Sequence, residues 1–225
     1  MRKQAKRYKE NKFVLWFGKL TGWLPVGLLW GTKVYYEDKR VQGRHLPGPS
    51  ILMSNHMAFW DFPAYLWTFY WQDIRFLVGE VLFNRNPMLN WVLGCLGCIR
   101  VERSASDFGF MAESLQALDA GRVICIFPQG RLPVGEEAFP YKPGVVMIAL
   151  HTDAPIIPVY NDGNYGFGKK AHVIIGKPIR IRSLTTQEQP DEAEILRLTG
   201  LLEAKTYELR DELLEQMRGK DRGKA

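Results

Sequence analysis

The middle of this chain alternates short apolar runs with longer, helix-like segments, and this pattern narrows its folding options more than any other feature. Strand-like runs occupy Lys33–Tyr36, Ile51–Ser54, Cys98–Val101, Val123–Phe127, Ile156–Tyr160 and His172–Ile175. Helical patterning covers Asp61–Trp71, Pro87–Leu96, Asp107–Asp119 and Val145–Thr152, with Ser106 placed to cap the third and Ala120-Gly121 to end it. Strands separated by helices return to their sheet by crossovers. The pattern therefore predicts an α/β fold with a central, mostly parallel sheet flanked by helices. At 225 residues, 46% of them hydrophobic, the chain can bury one such core with appended elements. The expected division is a basic arm and interfacial helical element at 1–32, the α/β domain at 33–190, and a C-terminal helix with a polar tail at 191–225. In that last helix Ile195, Leu198, Leu202, Leu209 and Leu213 form one stripe that packs on the domain.

Charge is concentrated at the start. The net charge is +6, and Arg2, Lys3, Lys6, Arg7, Lys9 and Lys12 against Glu10 account for most of it. A basic arm suits nucleic acid or an anionic lipid surface. The stretch at 13–30 that follows is rich in Trp and Leu, and no base-reading module is recognisable downstream, so lipid is the expected partner and nucleic acid is not. Lys19, Pro25 and three glycines interrupt that stretch, whereas a membrane span needs about 20 uninterrupted apolar residues. Two short helices lying in the interface are expected, with the arm on lipid head groups. The abundance of Trp also fits an aromatic-rich core. Cys95-x-x-Cys98 invites a zinc or redox reading, but no second Cys or His pair stands at ligand spacing. No metal is expected, and Cys95, Cys98 and Cys125 read as reduced, buried thiols.

Several strand ends carry chemistry. Asn55-His56 follows one apolar run, and Asp61 opens the next helical one. The intervening turn can bring the carboxylate onto the imidazole, fixing its tautomer and leaving the other nitrogen as a base. Arg103 follows a second run. Phe127-Pro128-Gln129-Gly130-Arg131 follows a third, where Gly130 lets backbone approach a ligand and Arg131 stands beside it. Arginine binds phosphate bidentately, so both arginines are candidates for an anionic group; Lys142 is a weaker one. No Gly-x-Ser-x-Gly elbow is present, and Ser54 reads as a structural hydroxyl.

The His-x4-Asp spacing alone is a weak signal; its order and context within a larger set carry the weight. Asn55, His56 and Asp61, then Ile99, Val101 and Arg103, then Phe127-Pro128-Gln129-Gly130, then Pro158-Val159, resemble the four motifs of the glycerolipid acyltransferase family. The Lys142-Pro143-Gly144 turn adds to the likeness, which runs from about residue 41 to 180. The resemblance implies transfer of a fatty acyl group to the hydroxyl of lysophosphatidic acid or a related lysophospholipid. The donor is a thioester, acyl-CoA or acyl-carrier protein, with no other cofactor, and the acceptor hydroxyl attacks it directly. It implies His56 as general base and Asp61 as its partner. It implies substrate binding by Asn55, Arg103, Phe127, Pro128, Gln129, Gly130, Arg131 and Pro158. The expected location is the cytoplasmic face of a membrane, peripheral or monotopic. Two positions depart from the family. Gln129 replaces a Glu that helps seat the acceptor, and Gly79-Glu80 stands where a Lys is common. These departures leave a second reading, a membrane-bound lipid-binding homologue weak in catalysis.

Overall fold

The computed structural model describes residues 8–29, 31–102, 109–135 and 139–222, without the side chains of 23–26, 28 and 220–222. Arg2, Lys3, Lys6 and Arg7 of the basic arm, and Arg103, lie outside the described residues, as does the expected cap Ser106. The elements are α1 (Lys12–Leu29), β1 (Thr32–Tyr36), β2 (Ser50–Ser54), α2 (Asp61–Thr68), β3 (Ile74–Gly79), α3 (Glu80–Phe83), α4 (Pro87–Cys95) and β4 (Ile99–Val101). They continue with α5 (Gly109–Asp119), β5 (Val123–Ile126), α6 (Gly144–Leu150), β6 (Ile156–Asn161), β7 (Ala171–Ile175), a 3-10 turn (Ile181–Leu184) and α7 (Glu192–Arg222).

The strands form one sheet of order β1-β7-β6-β2-β5-β3-β4. Every neighbouring pair is parallel except β6 and β7. β2 and β5 are buried at every position, as central parallel strands covered on both faces must be. One face packs Ile51, Ile124, Ile148, Ile156 and Leu198 under α5, α6 and α7. The other packs Leu52, Tyr65, Phe76, Cys125, Ile157 and Val159 under α2 and α4. Further along α7, Leu209 and Leu213 close over Tyr35 and Ile174.

β3 is the strand that sequence patterning does not reveal. Arg75 is the second residue of this otherwise apolar strand, yet is only 3% exposed. Its guanidinium is paired with Glu10 at 2.5 Å and Asp73 at 3.2 Å, and Glu10 also holds Arg122 at 2.7 Å. A buried charge persists only when paired in this way. The acidic residue of the basic arm is therefore bound to the domain. Asn11 N–H donating to the Cys95 carbonyl at 2.9 Å ties the same segment to the end of α4.

The N-terminal element also differs from the expectation of two short helices. α1 is one continuous helix across Pro25. A proline inside a helix removes one backbone bond, which packing elsewhere can offset. Here Lys19, 2% exposed, donates to the carbonyls of Tyr70 and Gln72 at 2.7 Å each. Trp67 Nε1 donates to the Lys19 carbonyl at 3.1 Å, and Gly22 leaves room for the Trp67 ring. Burial brings the Lys19 ammonium down to about 8, opposed by the nearby Asp73 charge.

Burial of the thiols makes a testable statement. Cys125 is fully buried, and burial pushes its thiol well above its ordinary value, whereas Cys98, expected to be buried, is only partly so and lines a cavity with Phe83 and Arg100. A thiol-reactive chromophore at pH 8 is expected to leave Cys125 unmodified in the folded protein and to modify it within minutes after denaturation. Rapid labelling of Cys125 in the native state contradicts this packing.

Candidate active site

β2 lies between β5 and β6, so the loops leaving the C-terminal ends of these strands converge. Such ends are where open α/β sheets place ligands. β2 leads into Asn55 and His56, β5 into Phe127–Arg131, and β6 ends at Asn161.

His56 Nδ1 and Asp61 Oδ2 are 2.7 Å apart. Asp61 is the first residue of α2, so its carboxylate is favoured by the helix dipole. It is fully buried. The backbone N–H groups of Met57 and Ala58 donate to the same oxygen at 2.8 and 3.0 Å. Its other oxygen, Oδ1, accepts from Asn161 Nδ2 at 2.7 Å and from Tyr165 Oη at 2.8 Å. A carboxylate so placed accepts a hydrogen bond from Nδ1–H, which leaves the lone pair on Nε2. Nε2 has no hydrogen-bond partner among the described residues, and the side chain is 20% exposed. The ring stacks on Phe127, centroids 4.4 Å apart and planes 20° apart. Met57, Phe59 and Trp60 are exposed beside it, an apolar rim to a polar centre.

Gln129 and Asn55 are committed to backbone. Gln129, 3% exposed, accepts the His56 N–H on Oε1 at 2.6 Å. A neutral amide oxygen meets that need as a carboxylate would, so the exchange of Glu for Gln leaves the loop held. Asn55 Nδ2 donates to the Asn161 carbonyl at 2.8 Å, and its Oδ1 accepts the Asn161 N–H at 2.9 Å. Its side chain thus extends the β2–β6 pairing by one residue. Ser54 Oγ meets Tyr65 Oη at 2.6 Å, a structural hydroxyl as expected.

Two cations flank the turn after β5. Gly130 has φ +67°, a conformation that favours glycine. The Lys142 side chain lies alongside it, and Lys142 N–H donates to the Pro128 carbonyl at 3.0 Å. The Arg131 guanidinium is stacked 3.6 Å over the Phe139 ring. β4, which precedes Arg103, is separated from β5 by β3. Pro158 lies within β6, where alternation turns it away from the face of Ile157, Val159 and Asn161. It packs by Gly176, whose N–H donates to the Pro158 carbonyl at 2.8 Å. It is not brought to His56. Asn161 and Tyr165 are the site residues that sequence reading missed. Only the strand end preceding them marked the region.

A buried carboxylate behind an imidazole, a ring nitrogen without a partner among the described residues, cations nearby and an apolar rim make a site of the class able to support base-assisted chemistry on an amphiphile. Comparison with known proteins narrows that class. The acyltransferase family model matches residues 36–161, more than half of the chain, and the chain belongs to this family. A chloroplastic 1-acyl-sn-glycerol-3-phosphate acyltransferase of Brassica napus is 24% identical over 142 residues, 60% of this chain and 40% of the relative. A 1-acyl-sn-glycerol-3-phosphate acyltransferase of Limnanthes douglasii is 26% identical over 153 residues, 66% of this chain and 53% of the relative. The chain thus spans about half the length of the curated relatives it matches. The fold matches the crystal structure of the 1-acyl-sn-glycerophosphate acyltransferase PlsC of Thermotoga maritima with a TM-score of 0.60 at 22% identity. That match covers 88% of this chain and 80% of that one.

Proposed function

We propose that this protein transfers a fatty acyl group from a thioester, acyl-CoA or acyl-carrier protein, to the hydroxyl of lysophosphatidic acid or a related lysophospholipid. The observation that carries the reading is the His56–Asp61 pair at 2.7 Å with Nε2 unpartnered among the described residues. Nε2 takes the proton of the acceptor hydroxyl as its oxygen attacks the thioester carbonyl. The tetrahedral species collapses with cleavage of the C–S bond, and the imidazolium returns the proton to the leaving thiolate. The products are an ester and a free thiol. Lys142 and Arg131 are the described cations fit for the acceptor phosphate, with Arg103 a third candidate. The intact hydrogen bond from His56 N–H to Gln129 favours turnover over lipid binding alone. Incubation of the purified protein with labelled acyl-CoA, acyl-carrier-protein thioester and a panel of lysolipids tests the reading. Formation of a diacyl product supports it, and its absence with every pair rejects it.

Attachment to a membrane is the reading that the outer face of α1 supports. Leu15 and Lys19 face the domain, while Phe13, Phe17 and Leu20 are 75%, 56% and 70% exposed on the other side. Phe13 stacks on Phe17, and Leu20 lines a groove with Arg44, Trp67, Tyr70 and Trp71, the last 77% exposed. Among the described residues no helix is long and apolar enough to cross a membrane. An outward apolar stripe with a cation at its edge suits insertion into an interface. Truncating the arm would also remove Glu10 from Arg75, so substitution is the cleaner test. Phe17→Glu combined with Leu20→Glu is expected to release the protein from neutral and anionic vesicles in co-sedimentation. Turnover of soluble short-chain substrate should survive. Undiminished pelleting places the anchor elsewhere.

A further inference from the structure

Asp61 is held from behind by the segment that follows β6, and the hydrogen-bond logic there permits only one arrangement. The Gly163 N–H donates to Asn161 Oδ1 at 2.8 Å. That fixes the orientation of the amide, so Nδ2 must be the atom facing Asp61 Oδ1 at 2.7 Å. Asn161 Nδ2 is also 2.6 Å from Tyr165 Oη. An amide nitrogen only donates, so the phenol oxygen accepts there and its single proton is left for Asp61 Oδ1, 2.8 Å away. Burial, and then the Asp61 charge, hold the Tyr165 phenol well above its ordinary value, so it stays a donor. The turn can come this close because residue 163 is glycine. Its φ is +68°, and a Cβ there would lie 2.6 Å from Met57 Cβ.

We propose that Asn161 and Tyr165 are positioning residues for the base, a two-donor clamp that fixes the rotation of the Asp61 carboxylate so that Oδ2 alone faces His56. The inference rests on the acyl-transfer reading for its kinetic consequence, but not for its spectroscopic one. With either donor removed one hydrogen bond fewer fixes the rotation of the carboxylate, and less of its charge is neutralised from behind. Among the described residues, the groups in contact with His56 are Asp61 and the uncharged Phe127 at the ring and Gln129 at its backbone. A less neutralised carboxylate stabilises the imidazolium more, so the ring protonates at higher pH.

Tyr165→Phe is expected to lower kcat about ten- to a hundredfold, the worth of a hydrogen bond to a charged group. Both KM values should change less than about threefold, and the acid limb of the kcat/KM profile should move to higher pH. Asn161→Ser, which draws the donor back from Asp61, should act in the same direction and serves if the Phe variant fails to fold. Nitrogen-15 spectra of histidine-labelled protein without substrate provide the independent readout. The His56 signals should shift in both variants. Those of His172, paired with Asp162 at 2.7 Å on the neighbouring strand, should stay in place as an internal reference. Unmoved His56 signals and an unmoved acid limb overturn the clamp, even if thermal stability falls. Shifted signals in a protein that transfers no acyl group would leave the clamp standing and reject the acyl-transfer reading instead.

Discussion

Replacing His56 with alanine is expected to lower kcat by about 10²–10⁴ while leaving the melting curve nearly unchanged. The ring is partly exposed and contributes one of the hydrogen bonds at Asp61. Met57, Ala58, Asn161 and Tyr165 still occupy the carboxylate after its loss, so the loop remains held. The hydroxyl of a lysolipid, the proposed acceptor, is too weakly acidic to attack a thioester unaided, and no other hydrogen-bonded His–Asp pair among the described residues lies at that strand end. Steady-state kinetics beside a thermal melt check both halves. Near wild-type turnover in a folded variant removes His56 from the mechanism, whatever the family.

Asp61→Ala should behave differently, costing the fold as well as the chemistry. The carboxylate is fully buried and accepts from two backbone N–H groups, one amide, one phenol and the imidazole. Each buried donor left without an acceptor costs about 1–3 kcal/mol, and these share one cavity, so a net loss of about 3 kcal/mol or more is expected. For a chain of this length that lowers Tm by about 6–12 °C. Activity should fall at least as far as in His56→Ala. Asp61→Asn keeps the volume and one acceptor oxygen, so its stability loss should be smaller. Calorimetry on the three variants separates the cases. Equal melting temperatures for Asp61→Ala and His56→Ala contradict the picture of Asp61 as a structural hub.

The parts of this site that short-range sequence can express were legible. The dyad residues are only five apart, and the strands that present them are plain apolar runs. β3 escaped because a buried arginine interrupts its pattern, and the ion pairs that neutralise Arg75 come partly from Glu10, far away in the chain. Asn161 and Tyr165 escaped for a related reason. They are neutral polar residues of common type, and their partner Asp61 is 100 and 104 positions earlier. Asn55 and Gln129 were recognisable as positions, but a side chain that hydrogen-bonds a distant backbone looks the same in sequence as one that binds a ligand. α1 illustrates the converse case. Its proline and glycines suggest a break that local rules favour, and contacts with α2 override them.

The route by which the chain closes this site also sets when it can first work. His56 and Asp61 leave the ribosome together, but β6, which pairs with β2 and carries Asn161, follows a hundred residues later. At about 5–20 residues per second the nascent chain spends some 5–20 s with both members of the dyad made and no strand to lock them. Over that interval the exposed apolar face of α1 has been made, while Asn161, which holds Asp61 from behind, has not.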